Sequence, residues 1–152
     1  MRYILFGFVV SLLCLAPNLP GAHHDAFVGS WQLDTANTPA MDGKQVTSAA
    51  LNVEYQHKMI HLSKSINFTN GDKTVVEEWK LDHRYHPVTS GGTGEFLAKW
   101  QGPATLTAEH EMDGGHENIS LVLSPDGRTL TETVHRTGSS GDYNRTLVWK
   151  RQ

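Results

Sequence analysis

The chain has 152 residues, with 13 Lys and Arg against 16 Asp and Glu, a net charge of −3 when its nine histidines are neutral. No basic stripe or patch accompanies that balance, which argues against nucleic acid as a partner. A single cysteine, Cys14, excludes an intrachain disulfide framework.

The chain opens with Arg2, then the apolar run "YILFGFVVSLLCLA" and the breaker-rich "PNLPGA". This is the pattern of a secretory signal peptide, so residues 1–22 are expected to be removed and the protein exported to the periplasm or beyond the cell. The alternative is an N-terminal membrane anchor, for which the run is short of the ~20 apolar residues of a span, and no stable membrane insertion is expected. Cleavage is expected near Ala22, although Pro20 at the third position before that bond leaves the site open. Leu13 stands before Cys14 where lipid attachment wants a small residue. Cleavage would leave 130 residues, 23–152, with 12 basic against 16 acidic side chains, a net charge of −4. That is one domain, able to bury about two-thirds of its unfolded surface and dependent on that burial for stability.

Beyond residue 22 helical periodicity is nearly absent. Short runs of alternating apolar and polar residues are separated by "NGD" at 70–72, "SGGTG" at 90–94, "QGP" at 101–103, "DGG" at 113–115, "PDG" at 125–127 and "GSSGD" at 138–142. Gly, Asn and Asp tolerate the positive φ of tight hairpin turns, so the pattern predicts an antiparallel meander. Strands are expected near 27–34, 49–56, 58–68, 73–82, 95–101, 104–112, 117–124, 129–137 and 143–151. Segment 35–48 reads as a loop or a short helix over one end, and 83–94 as a second long loop. Closure would remove the edge strands of such a meander. The predicted fold is therefore all-β: an antiparallel up-and-down β-barrel of about 8–10 strands, with short hairpin connections rather than Greek-key crossings.

The segment "GSWQLD" carries Gly29-Ser30-Trp31, which resembles the G-x-W signature of the calycin superfamily that includes lipocalins. The ending "SPDGRTLTETVHRTGSSGDYNRTLVWK" strengthens a likeness to small, secreted bacterial lipocalin-like proteins. The resemblance spans 23–152 and implies that Trp31 closes the barrel base, with a basic residue of the last strand packed over the indole. Arg145, Lys150 and Arg151 are the candidates there; Gly29, Trp31 and Arg151 form the expected structural motif. The chain departs from secreted animal lipocalins in lacking disulfides and a long C-terminal helix.

Alternation along strands assigns the interior. The inward sets are Leu51, Val53, Tyr55; Ile60, Leu62, Lys64, Ile66, Phe68; Val75, Glu77, Trp79, Leu81; and Phe96, Ala98, Trp100. They continue with Leu106, Ala108, His110, Met112; Ile119, Leu121, Leu123; Leu130, Glu132, Val134; and Tyr143, Arg145, Leu147, Trp149. Each set is mainly apolar, yet Lys64, Glu77, His110, Glu132 and Arg145 put an ionisable group on five different strands. Buried charges need partners or water. The sets therefore predict an internal polar network or a wet mouth, unless one-residue register errors place some of these groups outside. The expected ligand-binding lining is Tyr55, Lys64, Glu77, Trp79, Trp100, His110, Glu132 and Arg145.

The histidines form no complete metal set. His23 and His24 would lie at the new N-terminus, where an amine and imidazole can chelate copper or nickel, or simply form a polar tail. His57 with His61 on one strand face, and His83 with His86, lack a third ligand. His110 as an axial haem ligand is weaker than His110 hydrogen-bonded inside the barrel. No G-x-S-x-G, H-E-x-x-H or P-loop occurs, so no catalytic residue is assigned. Asn67, Asn118 and Asn144 open N-x-S/T triplets that matter only in a eukaryotic secretory route.

Three functions remain open on the sequence. The leading one is an exported barrel that binds a small, largely apolar or amphipathic molecule, with no cofactor and no resident metal. The second is a barrel enzyme, an isomerase, cyclase or hydrolase, using interior Glu77, Glu132 and His110. The third is an envelope protein with a filled core. Oligomeric state is left open.

Overall fold

The computed structural model describes residues 24–41, 43–88, 93–139 and 141–152. The export-signal reading of 1–22, together with Cys14 and His23, lies outside the described residues. Ten strands follow one another: β1 (Gly29–Leu33), β2 (Val46–Gln56), β3 (Met59–Phe68), β4 (Gly71–Lys80), β5 (His86–Pro87), β6 (Glu95–Trp100), β7 (Thr105–Met112), β8 (Gly115–Leu123), β9 (Thr129–Gly138) and β10 (Tyr143–Arg151). Every neighbouring pair is antiparallel, in the order β4-β3-β2-β1-β10-β9-β8-β7-β6-β5. The fold is thus an up-and-down all-β barrel, nearly closed. Its regular helical content among the described residues is one 3-10 turn at Thr35–Asn37, and no helix among them is long and apolar enough to cross a membrane.

The strands form where β-branched and apolar residues alternate with polar ones, and the chain reverses where left-handed backbone is available. His57 (φ 51°) and Lys58 (φ 63°) form the two-residue β2–β3 turn, the mirror-type geometry that matches strand twist. His57 therefore does not share a strand face with His61, as its spacing had suggested. Phe27, expected in the first strand, instead ends a turn over residues 24–27. Loop 83–94 contains the short β5, paired with β6 through His86 opposite Phe96. Gly94 (φ +109°) is forced at its position, since a Cβ there would lie 1.8 Å from the Glu111 carbonyl oxygen.

The inward parity expected from alternation holds strand by strand, with residues such as Leu51, Leu62, Trp79, Leu106, Leu121, Leu130 and Trp149 buried. Tyr143 is the exception: it is 37% exposed at the rim, because β10 begins there and has already left the core. No backbone ladder joins β4 to β6 among the described residues. The seam between them is packed by side chains, Trp79 against Phe96 with ring centroids 6.0 Å apart.

The base explains the glycine–tryptophan pair. Trp31 is fully buried and its indole N–H donates to the Phe27 carbonyl at 3.1 Å. The Arg151 guanidinium lies 4.2 Å from the Trp31 ring centroid. It also donates to the carbonyls of Gly127 (2.8 Å), Val28 (3.0 Å) and Ala26. Gly29 has φ +134°, and a Cβ on it would stand 3.0 Å from Arg151 Nη1. Glycine is needed because the guanidinium covers its backbone. Below this, His24 stacks on Trp100 (4.3 Å, 5°), with Phe27 edge-on to the same ring at 5.0 Å. Tyr55 closes the group edge-on to Trp100 at 6.4 Å. Trp31, Trp79 and Trp149 are all essentially inaccessible.

Replacing Trp31 by Ala removes the centre of this closure and should cost about 3–5 kcal/mol, measured by urea denaturation. A loss below about 1 kcal/mol would contradict its role. Arg151→Lys should recover only part of what Arg151→Ala loses, because an ammonium cannot span three carbonyls and stack.

Candidate functional site

The site is built on Glu132, only 1% exposed. One carboxylate oxygen accepts from Lys64 Nζ at 2.6 Å and the other from Trp149 Nε1 at 3.0 Å. Strands β3, β9 and β10 thus converge on one carboxylate. Burial is the largest single influence on the Lys64 ammonium and pushes its pKa down. The Glu132 carboxylate, the Glu77 carboxylate and the hydrogen bond to Glu132 together outweigh it, so Lys64 titrates above the ordinary lysine value.

On the side of this pair away from the base, an inner chamber of about 240 Å³ opens toward the rim. Lys64, Lys73, Arg136, Arg145 and Glu77 supply its charged lining. Ile66, Phe68, Val75 and Met41 supply its apolar lining, and Tyr143 its phenol. Four cations face Glu77 here, with Glu132 behind Lys64, which leaves an excess of two positive charges. Four buried side-chain atoms lack a hydrogen-bond partner among the described residues: Trp79 Nε1 in the seam, Trp100 Nε1 in the base, and two that line this chamber, Arg145 Nε and Glu77 Oε2. An unpaired buried donor or acceptor carries its full desolvation penalty. A second hollow of about 310 Å³ adjoins the first and is lined by Pro39, Ala40, Met41, Tyr143, Asn144 and Arg145.

The residues selected from sequence fall in different places. Lys64, Glu77 and Arg145 line the inner chamber, and Glu132 holds Lys64 from behind. Trp79 belongs to the seam. Tyr55 and Trp100 belong to the aromatic base, at the opposite end from the chamber. His110 stacks on Phe96 at 4.1 Å and its Nε2 donates to the Thr93 carbonyl at 3.2 Å, so its hydrogen bond goes to backbone rather than to Glu77 or Glu132. Gly29, Trp31 and Arg151 form the base closure.

Lys73 and Arg136 were missed, although the parity that turns Val75 and Val134 inward reaches them one step further along each strand. Met41, in a loop without periodicity, gave no such signal.

Three surface histidines have polar partners: His61 has Glu78 (3.2 Å), His116 has Glu111 (2.8 Å) and Asn118, and His135 has Asn144. The His86 hydrogen bond to Asp82, at 2.7 Å, is the chief cause that holds the Asp82 pKa down to about 2. Among the described residues no three His, Cys, Asp or Glu side chains are grouped to hold a metal ion. Of the N-x-S/T asparagines, Asn67 donates to Ser48 Oγ at 2.7 Å, while Asn118 and Asn144 are exposed.

No family model matches the chain, and no curated protein matches it. Solved structures do. A Schistosoma mansoni fatty acid binding protein in complex with arachidonic acid aligns with TM-score 0.56 and 13% identity over 84% of this chain and 97% of that one. A zebrafish ileal bile acid-binding protein complexed with cholic acid aligns with TM-score 0.55 and 12% identity over 84% and 99%. A secretory abundant heat soluble protein from Ramazzottius varieornatus aligns with TM-score 0.58 and 13% identity over 84% and 96%. At that identity the likeness is one of fold, and the fold is calycin-like.

Lys64→Met strands a fully buried Glu132 and should cost about 3–5 kcal/mol; adding Glu132→Gln, which keeps an acceptor for Trp149, should recover much of it. Because the folded-state pKa of Lys64 is raised, its contribution is complete below the unfolded value near 10.5 and is lost as pH rises through the folded one. Denaturant titrations above that pH should show the decline in the wild type and not in the double variant.

Proposed function

We propose that this protein is a binding barrel for a compact amphipathic anion, taken head-first into the inner chamber. The observation that carries the reading is the pair of unpartnered buried atoms, Arg145 Nε and Glu77 Oε2, lining one chamber. A carboxylate would accept from the first, and a hydroxyl on the same head would donate to the second. The excess of two positive charges favours an acidic head, and Ile66, Phe68 and Val75 favour an apolar body. Small-molecule pockets usually have mostly apolar walls; this chamber is lined more by charged residues than by apolar ones, which favours a ligand whose charged head is a large share of it. The complexes of two structurally similar barrels with arachidonic acid and cholic acid agree with an amphipathic acid as the ligand class. The chamber holds roughly the volume of eight liquid waters, so the ligand is short-chained or built on a single ring.

Arg145→Gln should weaken octanoate binding about 10- to 100-fold, the worth of a hydrogen bond to a charged group, and leave octanol unaffected. Displacement of an apolar fluorescent probe reads both. If no acid or alcohol displaces the probe, the barrel is a filled structural scaffold instead.

We also propose that the protein acts after export, on the strength of Arg2, the apolar run and the breakers at 17–22. Chain isolated from its own host should begin near residues 22–24. A soluble cytoplasmic protein that retains Met1 would overturn this.

A further inference from the structure

Met41 stands between the two hollows at the mouth. It is only 4% exposed and lines both the inner chamber and the outer hollow, which share Tyr143 and Arg145 as well. Its backbone is held. Met41 and Lys44 exchange N–H to carbonyl hydrogen bonds of 3.0 and 2.9 Å, and Gly43 supplies the left-handed residue of that turn (φ +72°). On the far side Thr69 N–H donates to the Gln45 carbonyl at 3.2 Å, and on the near side Thr38 Oγ1 donates to the Asp34 carbonyl at 2.7 Å. Lys44 Nζ lies 5.9 Å from the centroid of Phe68, a wall of the inner chamber. The described residues on either side of Met41 therefore form a hydrogen-bonded strap, and Met41 supplies one deformable side chain. Methionine is unbranched, with several soft torsions, and can repack without backbone movement.

Lys64, Lys73, Glu77 and Arg136 line the inner chamber alone, whereas the outer hollow shares Arg145 and adds Pro39, Ala40 and Asn144. A head seated by Arg145 would direct its apolar body toward Met41. A body that ends there fits the inner chamber alone. A longer one must displace the thioether to continue into the outer hollow. We propose that Met41 is the length-selecting residue of the barrel, a side-chain partition that favours compact acids and disfavours long-chain ones. The inference rests on the binding reading given above.

Affinities for hexanoate, octanoate, dodecanoate and hexadecanoate, measured by calorimetry on wild type, Met41→Ala, Met41→Val and Met41→Leu, test it. Wild type and the volume-conserving Met41→Leu should prefer octanoate. Met41→Ala should shift the dodecanoate-to-octanoate affinity ratio about tenfold toward dodecanoate, as expected for two or more newly buried methylenes. Met41→Val should shift it less, and provides the readout if the alanine variant proves too unstable. An unchanged ratio in both shortened variants, with octanoate still bound, overturns the role of Met41 and leaves the binding reading intact. Absence of binding by every acid to every variant overturns both.

Discussion

One buried carboxylate organises this barrel. Glu132 lies deep in the core and would be prohibitively costly there as an unpaired ion. Lys64 from β3 and the Trp149 indole from β10 satisfy its two oxygens, so β3 must meet the β9–β10 hairpin, 68 positions further along the chain, at one point. The arrangement divides the interior. Toward the base, Trp149 belongs to a layer of tryptophans that excludes solvent. Toward the rim, Lys64 forms the inner wall of a charged chamber. Hydrophobic filling and polar chemistry are separated at the level of a single side chain.

The two ends of the barrel are closed by different physics. At the base, Arg151 uses its planar fork to bind three carbonyls and cover Trp31 at once, tying the C-terminal strand to the N-terminal turn. A guanidinium can do this because it is pre-organised, always charged and weakly hydrated. Gly29 is the local consequence: its φ of +134° suits glycine alone, and a Cβ there would press on the guanidinium at 3.0 Å. At the mouth, closure depends on a short strap and one methionine, a softer arrangement that leaves Arg145 and Glu77 with unmet hydrogen-bonding capacity. The seam between β4 and β6 is intermediate: aromatic packing of Trp79 on Phe96 replaces a backbone ladder there.

The uneven filling also bears on the choice among functions. Tyr55 and Trp100, which alternation marked as cavity-lining, serve the aromatic base. His110 is engaged by Phe96 and, through Nε2, by the Thr93 carbonyl rather than by Glu77 or Glu132. What remains at the mouth is an arrangement suited to recognition, with a surplus of cations, an apolar wall and two unpaired buried atoms. Of the histidines that invited a metal reading, His61 pairs with Glu78 and His86 with Asp82, while His24 stacks on Trp100 and His57 lies in the β2–β3 turn.

The sequence by itself determined nine of the ten strands and their inward faces, while the place of Trp31 at the base came from the G-x-W resemblance. Alternation is a local property, imposed by the two-residue period of an extended chain, and glycine-rich turns punctuate it. It therefore marked Lys64, Glu77, Glu132 and Arg145 as inward, and one more step of the same period would have added Lys73 and Arg136. It could not say which inward residues meet. Lys64 and Glu132 are separated by 68 positions, and only the closure of the sheet brings them to 2.6 Å. Nor could it divide one row of inward residues into filled base and open chamber, because that depends on the summed volumes of side chains from every strand. Met41 lies beyond the reach of periodicity altogether. Its burial comes from a strap whose path is set by hydrogen bonds between Met41 and Lys44 and between Thr69 and Gln45, so its place at the mouth was decided by the tertiary structure.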